Sequence, residues 1–317
     1  MNKTSIFAAG IDTGKHRLDV ALQGCAQRLE VGNDAVGYGQ LCAWLESFGV
    51  KRIGIESSGG YEKAAVRHLR AAGFGVVVFQ PAQVRAYAIF RLQRAKNDRI
   101  DAAMIAACAG AVESVREAPD ARFEALAERL TFLEQIEEDL ARAKTRREGF
   151  RDARQQTLLD QEIKRLKLVR KNEIAALGRA LRCHDDLARR LDLLHSIPGL
   201  GARTALCLVI RMPELGALSR EEAASLAGLA PFDDDSGQRQ GMRRIWGGRG
   251  RVRRSLFAAA LPAAFRWNSQ LIAFYRRLTG AGKPHKLALI ACARKLLIYA
   301  NTVLMRATPW TNAHAAT

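Results

Sequence analysis

Lys96-Asn97-Asp98-Arg99-Ile100-Asp101-Ala102 opens an apolar run, Ala103-Met104-Ile105-Ala106-Ala107, with the composition of a buried helix. Asp98 and Asp101 are three residues apart, so on a helix they share one face with Cβ atoms about 5–6 Å apart. Two acids at the mouth of a buried helix are costly unless something positive meets them. The partners at hand are Lys96 and Arg99, or a metal ion. Taken alone, the pair also fits an ordinary acidic helix start. The sequence before it decides the matter.

Residues 5–12 read as a buried strand ending in Asp12. Thr13–His16 is a turn, Leu18–Leu22 a second strand, and a third lies near Gln27–Val31. Asp34 caps a helix to about Phe48 that carries Leu41, Trp44 and Leu45 on its apolar face. Arg52-Ile53-Gly54-Ile55-Glu56 is a compact strand, again ending in an acid. Ser57-Ser58-Gly59-Gly60 leads into a helix from about Tyr61 to Ala72, and Gly75–Gln80 is an apolar strand closed by Pro81.

Three strands, helix, strand, helix, strand, helices is the order of an α/β ribonuclease-H-like sheet. In such a sheet Asp12 and Glu56 lie side by side, and the Asp98/Asp101 helix packs across their ends. Four carboxylates from three distant segments then line one cleft. Hard divalent cations want such oxygens, and two Mg²⁺ about 3.5–4 Å apart serve phosphodiester chemistry. Ile11-Asp12-Thr13-Gly14-Lys15 also resembles the first phosphate loop of actin-like kinases. That fold needs a second D-x-G at a strand end, and Asp235-Ser236-Gly237 sits in a polar cluster instead.

Residues 120–197 contain no proline. Apolar positions recur at Leu126, Leu130, Leu133 and Leu140, at Leu159, Ile163 and Leu166, and at Leu177, Leu181, Leu191 and Leu194. That spacing predicts long helices, an antiparallel hairpin or a partner-seeking coiled coil, broken near Gly149. Glu137 and Arg170 interrupt the seam. Leu194–Gly201, with Ile197-Pro198-Gly199-Leu200-Gly201 at its centre, has the pattern of a helix-hairpin-helix turn whose second helix start can hold a phosphate.

Beyond Gly228-Leu229-Ala230-Pro231 comes the polar stretch Asp233–Gly241. Arg243, Arg244, Arg249, Arg251, Arg253 and Arg254 then stand among Gly247, Gly248 and Gly250, with Trp246. Arginine pairs bidentately with phosphate. Ser236 has no adjacent base and from spacing alone is a loop serine. Two helices, about Arg253–Leu278 and Lys286–Met305, close the chain around a Gly280–Pro284 turn. Their expected contacts are Leu256, Phe257 and Leu261 against Leu289, Cys292, Leu296 and Tyr299. Trp310–Thr317 reads as frayed.

The net charge of +18 on 317 residues is unevenly placed. Residues 1–115 carry 14 Lys+Arg against 10 Asp+Glu, residues 116–195 carry 18 against 16, and residues 196–317 carry 18 against 6. A basic excess concentrated in one region is the footprint of a polyanion. The six cysteines and six histidines lack metal-ligand spacing, which speaks against zinc and for reduced core thiols. No stretch reads as a signal peptide or a membrane span, so the expectation is a cytoplasmic protein without a membrane partner.

Ile11–Lys15, Ile55-Glu56-Ser57-Ser58-Gly59-Gly60-Tyr61, Lys96–Ala102, Ile197–Gly201 and Gly228–Pro231 through Ser236-Gly237 occur in the order and approximate spacing of one family. From about residue 6 to 306 the chain resembles the DEDD transposases of the bacterial insertion-sequence "one-ten" family, including its "eleven-eleven" branch. Ser57-Ser58 departs mildly from the Ala-Thr or Ser-Thr more usual there.

The resemblance implies a RuvC-like domain over residues 1–115, a coiled-coil dimerisation region over 116–195 and a C-terminal transposase domain over 196–317. It implies Mg²⁺, with Mn²⁺ as the alternative ion, on Asp12, Glu56, Asp98 and Asp101. Ser236 would be a nucleophile forming a phosphoserine link to DNA. It also implies an element-encoded noncoding guide RNA that pairs with donor and target DNA. Homodimers would assemble into a homotetramer, with active sites shared between protomers. Nucleic acid would meet Pro198, Gly199 and Gly201, then Arg239, Arg243, Arg244, Arg249, Arg251, Arg253 and Arg254, and Lys283 and Lys286. The rival readings are a resolvase-like nuclease that hydrolyses DNA with the acids alone, and a non-catalytic RNA/DNA-binding scaffold.

Overall fold

The computed structural model describes residues 8–92, 98–115, 120–232 and 244–311, with the side chains of residues 98–100 and 232 outside that description. The chain divides into two compact units, Met1–Pro119 and Asp120–Thr317.

The first unit is built on a five-stranded sheet of order β3-β2-β1-β4-β5. Its elements are β1 (Ala8–Thr13), β2 (Arg17–Leu22), β3 (Arg28–Gly32), α1 (Ala35–Ser47), β4 (Arg52–Glu56), α2 (Lys63–Ala71), β5 (Gly75–Phe79), α3 (Pro81–Phe90) and α4 (Asp98–Ala111). β2 runs antiparallel to β1 and β3, whereas β4 is parallel to β1 and β5, as expected for a ribonuclease-H-like strand order. The Asp34 side chain accepts a hydrogen bond from Gly37 N and caps α1 as expected.

Side chains alternate between the faces of a strand. Ile11, Val20, Ile53 and Ile55 turn toward Leu41, Leu45 and Leu69 of α1 and α2. Gly10 and Gly54 turn the other way and let α4 approach the sheet backbone. A Cβ on Gly10 would sit 2.1 Å from Ala106 N, and one on Gly54 would sit 2.9 Å from Ile105 O. Buried Ala102, Met104, Ile105 and Ala109 make α4 the buried helix that its composition predicts.

The second unit is mostly helical: α5 (Ala121–Gly149), α6 (Ala153–Arg182), α7 (Asp185–His195), α8 (Ala202–Arg211), α9 (Arg220–Leu226), α10 (Gly250–Pro262), α11 (Ser269–Gly280) and α12 (His285–Arg306), with a two-residue strand pair β6 (Pro231–Phe232) and β7 (Arg244–Ile245). α5 and α6 pack on each other through Ile136, Leu140, Ala143 and Leu166. Glu137 and Arg170, the two mismatches in the seam, pair with each other at 2.9 Å. At their base, Leu126, Leu130, Leu177 and Leu181 join a core with Leu206, Leu256, Leu296 and Val303. Most of the expected middle segment, from Asp120, thus shares one compact unit with the expected C-terminal segment.

Three expectations about this unit need correction. The helix expected over about Arg253–Leu278 is interrupted by a π-helical turn, Ala263–Trp267, because Pro262 lacks an N–H and the Asn268 side chain caps α11 by accepting from Leu271 N. Leu261 is exposed rather than packed. Trp310 is not frayed: it packs on Tyr299 at 4.5 Å, and its N–H donates to Ser196 Oγ at 2.7 Å. By length and composition α12 passes as a membrane-spanning helix, but 56% of its apolar window is buried and Ala293, Leu296, Leu297 and Val303 form part of the core.

Candidate active site and nucleic-acid interface

Asp12 follows Ile11, which pairs in register with Ile55, so Asp12 and Glu56 are neighbours one step further along parallel strands. Both share the parity of Gly10 and Gly54 and therefore face α4. Ala8 lies with Ile105 and Ala109, whereas Gly10 lies against Ala102 and Ala106. α4 therefore runs opposite to β1, and its first turn, with Asp101, comes to the Asp12 end. The positive pole of the helix dipole is directed at the carboxylates. Cys108, on the same helix, has its thiol pushed up to about 11 by burial and by the Glu56 carboxylate.

The structure thus brings together Asp12, Glu56 and the helix end bearing Asp101; the Asp98 side chain lies outside the described residues. The donors are all carboxylate oxygens, the kind that suits Mg²⁺. Among the described residues no group of three or more His, Cys, Asp or Glu side chains is close enough to hold an ion.

Two positioning residues escape the sequence reading. Glu62 is 8% exposed and accepts from Ser58 N at 3.0 Å, Gly60 N at 2.9 Å and Ser58 Oγ at 3.3 Å, fixing the loop after Glu56. Burial opposes its ionisation, but the N–H and hydroxyl donors outweigh burial and hold its carboxyl below the ordinary value. Asn33 donates to Gly14 O at 2.9 Å and Tyr61 O at 3.1 Å, tying the loop after Asp12 to the loop after Glu56. An acid just behind a Gly-Gly turn is the visible signal for Glu62; Asn33 offers none, since its partners are 19 and 28 residues away. Asp19, directly opposite Asp12 in register and likewise missed, pairs with Arg17 at 3.1 Å.

In the second unit, Ser236, Arg239, Arg243 and the Asp233–Asp235 cluster lie outside the described residues. The ends of their segment are held, because Pro231 pairs with Ile245 and Phe232 with Arg244. Gly228 and Gly248 meet backbone to backbone, and a Cβ on Gly248 would lie 2.3 Å from Gly228 N. Arg253 donates to Gly228 O and Gly247 O at 3.2 and 2.6 Å. Arg249 grips Glu214 through two bonds of 2.8 and 2.6 Å. These arginines and glycines are engaged with one another, with Glu214 and with backbone carbonyls.

Arg251 pairs with the buried Glu134, which also meets Arg211 at 2.8 Å and Arg203 at 3.5 Å. Arg254 pairs with Glu138 at 3.0 Å and stays 72% exposed. Arg244, Lys283 and Lys286 are exposed. Gly199 takes φ +91° in the Ile197–Gly201 turn, and a Cβ there would clash with Ala263 Cβ at 2.4 Å. Pro198 O accepts from Asn268 Nδ2 at 3.1 Å.

One unit is a mixed sheet that presents adjacent strand-end acids to an acid-bearing helix and the other is basic and mostly helical, the parts expected of a DNA-processing enzyme. A family model described as a transposase, of the DEDD IS110 group, matches residues 9–189. A second, described as transposase of the IS116/IS110/IS902 family, matches residues 191–276. Pilin gene-inverting proteins of Moraxella bovis and Moraxella lacunata are each 25% identical over 98% of this chain and 98% of their own length. The chain belongs to the IS110 transposase family and is a DNA recombinase.

Proposed function

We propose that this chain is an RNA-guided recombinase that cuts and rejoins DNA through Ser236. The observation that carries the reading is the side-by-side placement of Asp12 and Glu56 beneath the α4 turn bearing Asp101. Asp12, Glu56, Asp98 and Asp101 would hold Mg²⁺, which supplies charge neutralisation at the scissile phosphate and a lowered pKa for bound oxygen. Asn33 and Glu62 fix the loops that follow the first two acids.

In the proposed reaction the Ser236 Oγ–P bond forms as one P–O bond of the DNA backbone breaks. The strand leaves with a free hydroxyl, and rejoining is the reverse attack by the hydroxyl of another strand. Gly228, Gly248 and Arg253 fix the backbone that flanks the serine segment in sequence.

The resemblance supports a guide RNA, and the basic last third supports backbone contacts to RNA and DNA. Base pairing would then carry target choice outside the protein, as in other guided enzymes. The inverting proteins from Moraxella, named for acting on a pilin gene, favour rearrangement of defined segments. Exposed Phe132, Leu158 and Leu168 on α5 and α6 favour coiled-coil dimerisation through residues 116–195, with dimers pairing into tetramers.

A plasmid recombination assay with and without the RNA encoded beside the gene tests the reading. Joined product that requires the RNA supports it; RNA-independent product refutes guidance, and hydrolysis without rejoining favours the nuclease.

A further inference from the structure

The second unit contains a cleft of about 1240 Å³ between α5/α6, the Ile197–Gly201 turn and α10. It exceeds the roughly 300–1,000 Å³ typical of small-molecule pockets. Six Lys and Arg line it against three Glu. Arg170, Arg203, Arg251 and Arg254 are paired with those glutamates. Lys144 and Lys167 have no acidic partner among the described residues, so the unbalanced charge of the cleft is positive.

Trp267 stands on the wall of this cleft and is 57% exposed. Its position is built. The π-helical turn that carries it is locked to the Ile197–Gly201 turn by the Gly199–Ala263 contact and by the Asn268–Pro198 hydrogen bond, and Asn268 is 3% exposed. The Arg266 guanidinium lies over the indole, 4.8 Å from the ring centroid, adding a cation to the aromatic surface. An exposed indole fixed in a cleft that is also lined by lysines without an acidic partner among the described residues suits a base with a free face, which a stacked duplex lacks.

We infer that this cleft binds an unpaired segment of a nucleic-acid strand, one base stacking on Trp267 and the phosphates meeting Lys144 and Lys167. The inference rests on the recombinase reading for its class of ligand. DNA opened at a cut site and a single-stranded stretch of RNA offer the same chemistry.

The test uses the full chain and fluorescence anisotropy with oligo(dT) and oligo(rU) of about a dozen nucleotides, and with a blunt duplex. Trp267→Ala is expected to weaken single-strand binding about tenfold. Duplex binding should stay within about twofold, and Trp267→Phe should retain most of the affinity because a phenyl ring also stacks. Lys144→Gln with Lys167→Gln should reduce the slope of log affinity against log salt by about 1.4.

The tighter of the two single strands identifies the source. Equal losses on single strand and duplex, or no loss from Trp267→Ala, would overturn the inference. If the alanine variant melts early, comparison of Trp267→Phe with Trp267→Leu carries the test, since only the ring stacks. Trp267-dependent binding in a protein that never recombines DNA would sink the functional reading alone. Recombination with Trp267-independent binding would sink the cleft alone.

Discussion

Asp12 and Glu56 stand one register step beyond the Ile11–Ile55 pair, on the sheet face covered by α4. Neighbouring strands are about 4.8 Å apart, so two carboxyl groups there suit a bridging cation. Adding Mg²⁺ should raise the melting temperature of the wild type by mass action. Asp12→Asn or Glu56→Gln should abolish that rise and cut recombination by roughly a hundredfold or more. Calorimetry with and without Mg²⁺ checks this; a wild type indifferent to the ion contradicts it.

Gly10 has no space for a side chain, since a Cβ would lie 2.1 Å from Ala106 N and 2.2 Å from Ala102 O. Gly10→Ala should force α4 off the sheet and cost at least about 1–3 kcal/mol. Urea unfolding measures the loss, and activity should fall with it because Asp101 moves with the helix. An unchanged midpoint would refute the close packing.

The Glu62 carboxyl sits below its ordinary value, so its ionised form is favoured by the fold. Its contribution is full above the ordinary value of 4.5 and is lost as pH falls through the lower folded value. Glu62→Gln should be less stable near neutral pH by about 1–3 kcal/mol. The gap should narrow in acid. A gap independent of pH would show that charge is irrelevant there.

Glu134 keeps only 9% of its side chain exposed and meets Arg211, Arg203 and Arg251. Glu134→Ala leaves Arg211 and Arg251 without their acid, Arg203 keeping Glu137, and should cost about 3–5 kcal/mol. Denaturant unfolding decides, and a loss under about 1 kcal/mol would contradict a structural role for the cluster.

The strand order, the Asp34 cap and α4 were legible because alternation, capping and helical burial are local patterns. The neighbouring of Asp12 and Glu56 followed from that order. The Asn33 clamp was not legible, since nothing within a few residues of Asn33 announces Gly14 O and Tyr61 O as partners. Nor was the division of labour among the arginines. A guanidinium fits a carboxylate or carbonyl as well as a phosphate, and Arg249 and Arg253 take Glu214 and backbone carbonyls. Glu137 and Arg170, flaws in each helix read singly, cancel as a pair across two helices.

The central claim, strand exchange through a serine link, is tested most directly on a denaturing gel. Wild type and Ser236→Ala are incubated with end-labelled element DNA, its RNA and Mg²⁺. The account expects a protein–DNA adduct from the wild type alone, dependent on both metal and RNA. Cleaved DNA without an adduct, or an adduct that survives Ser236→Ala, would contradict it.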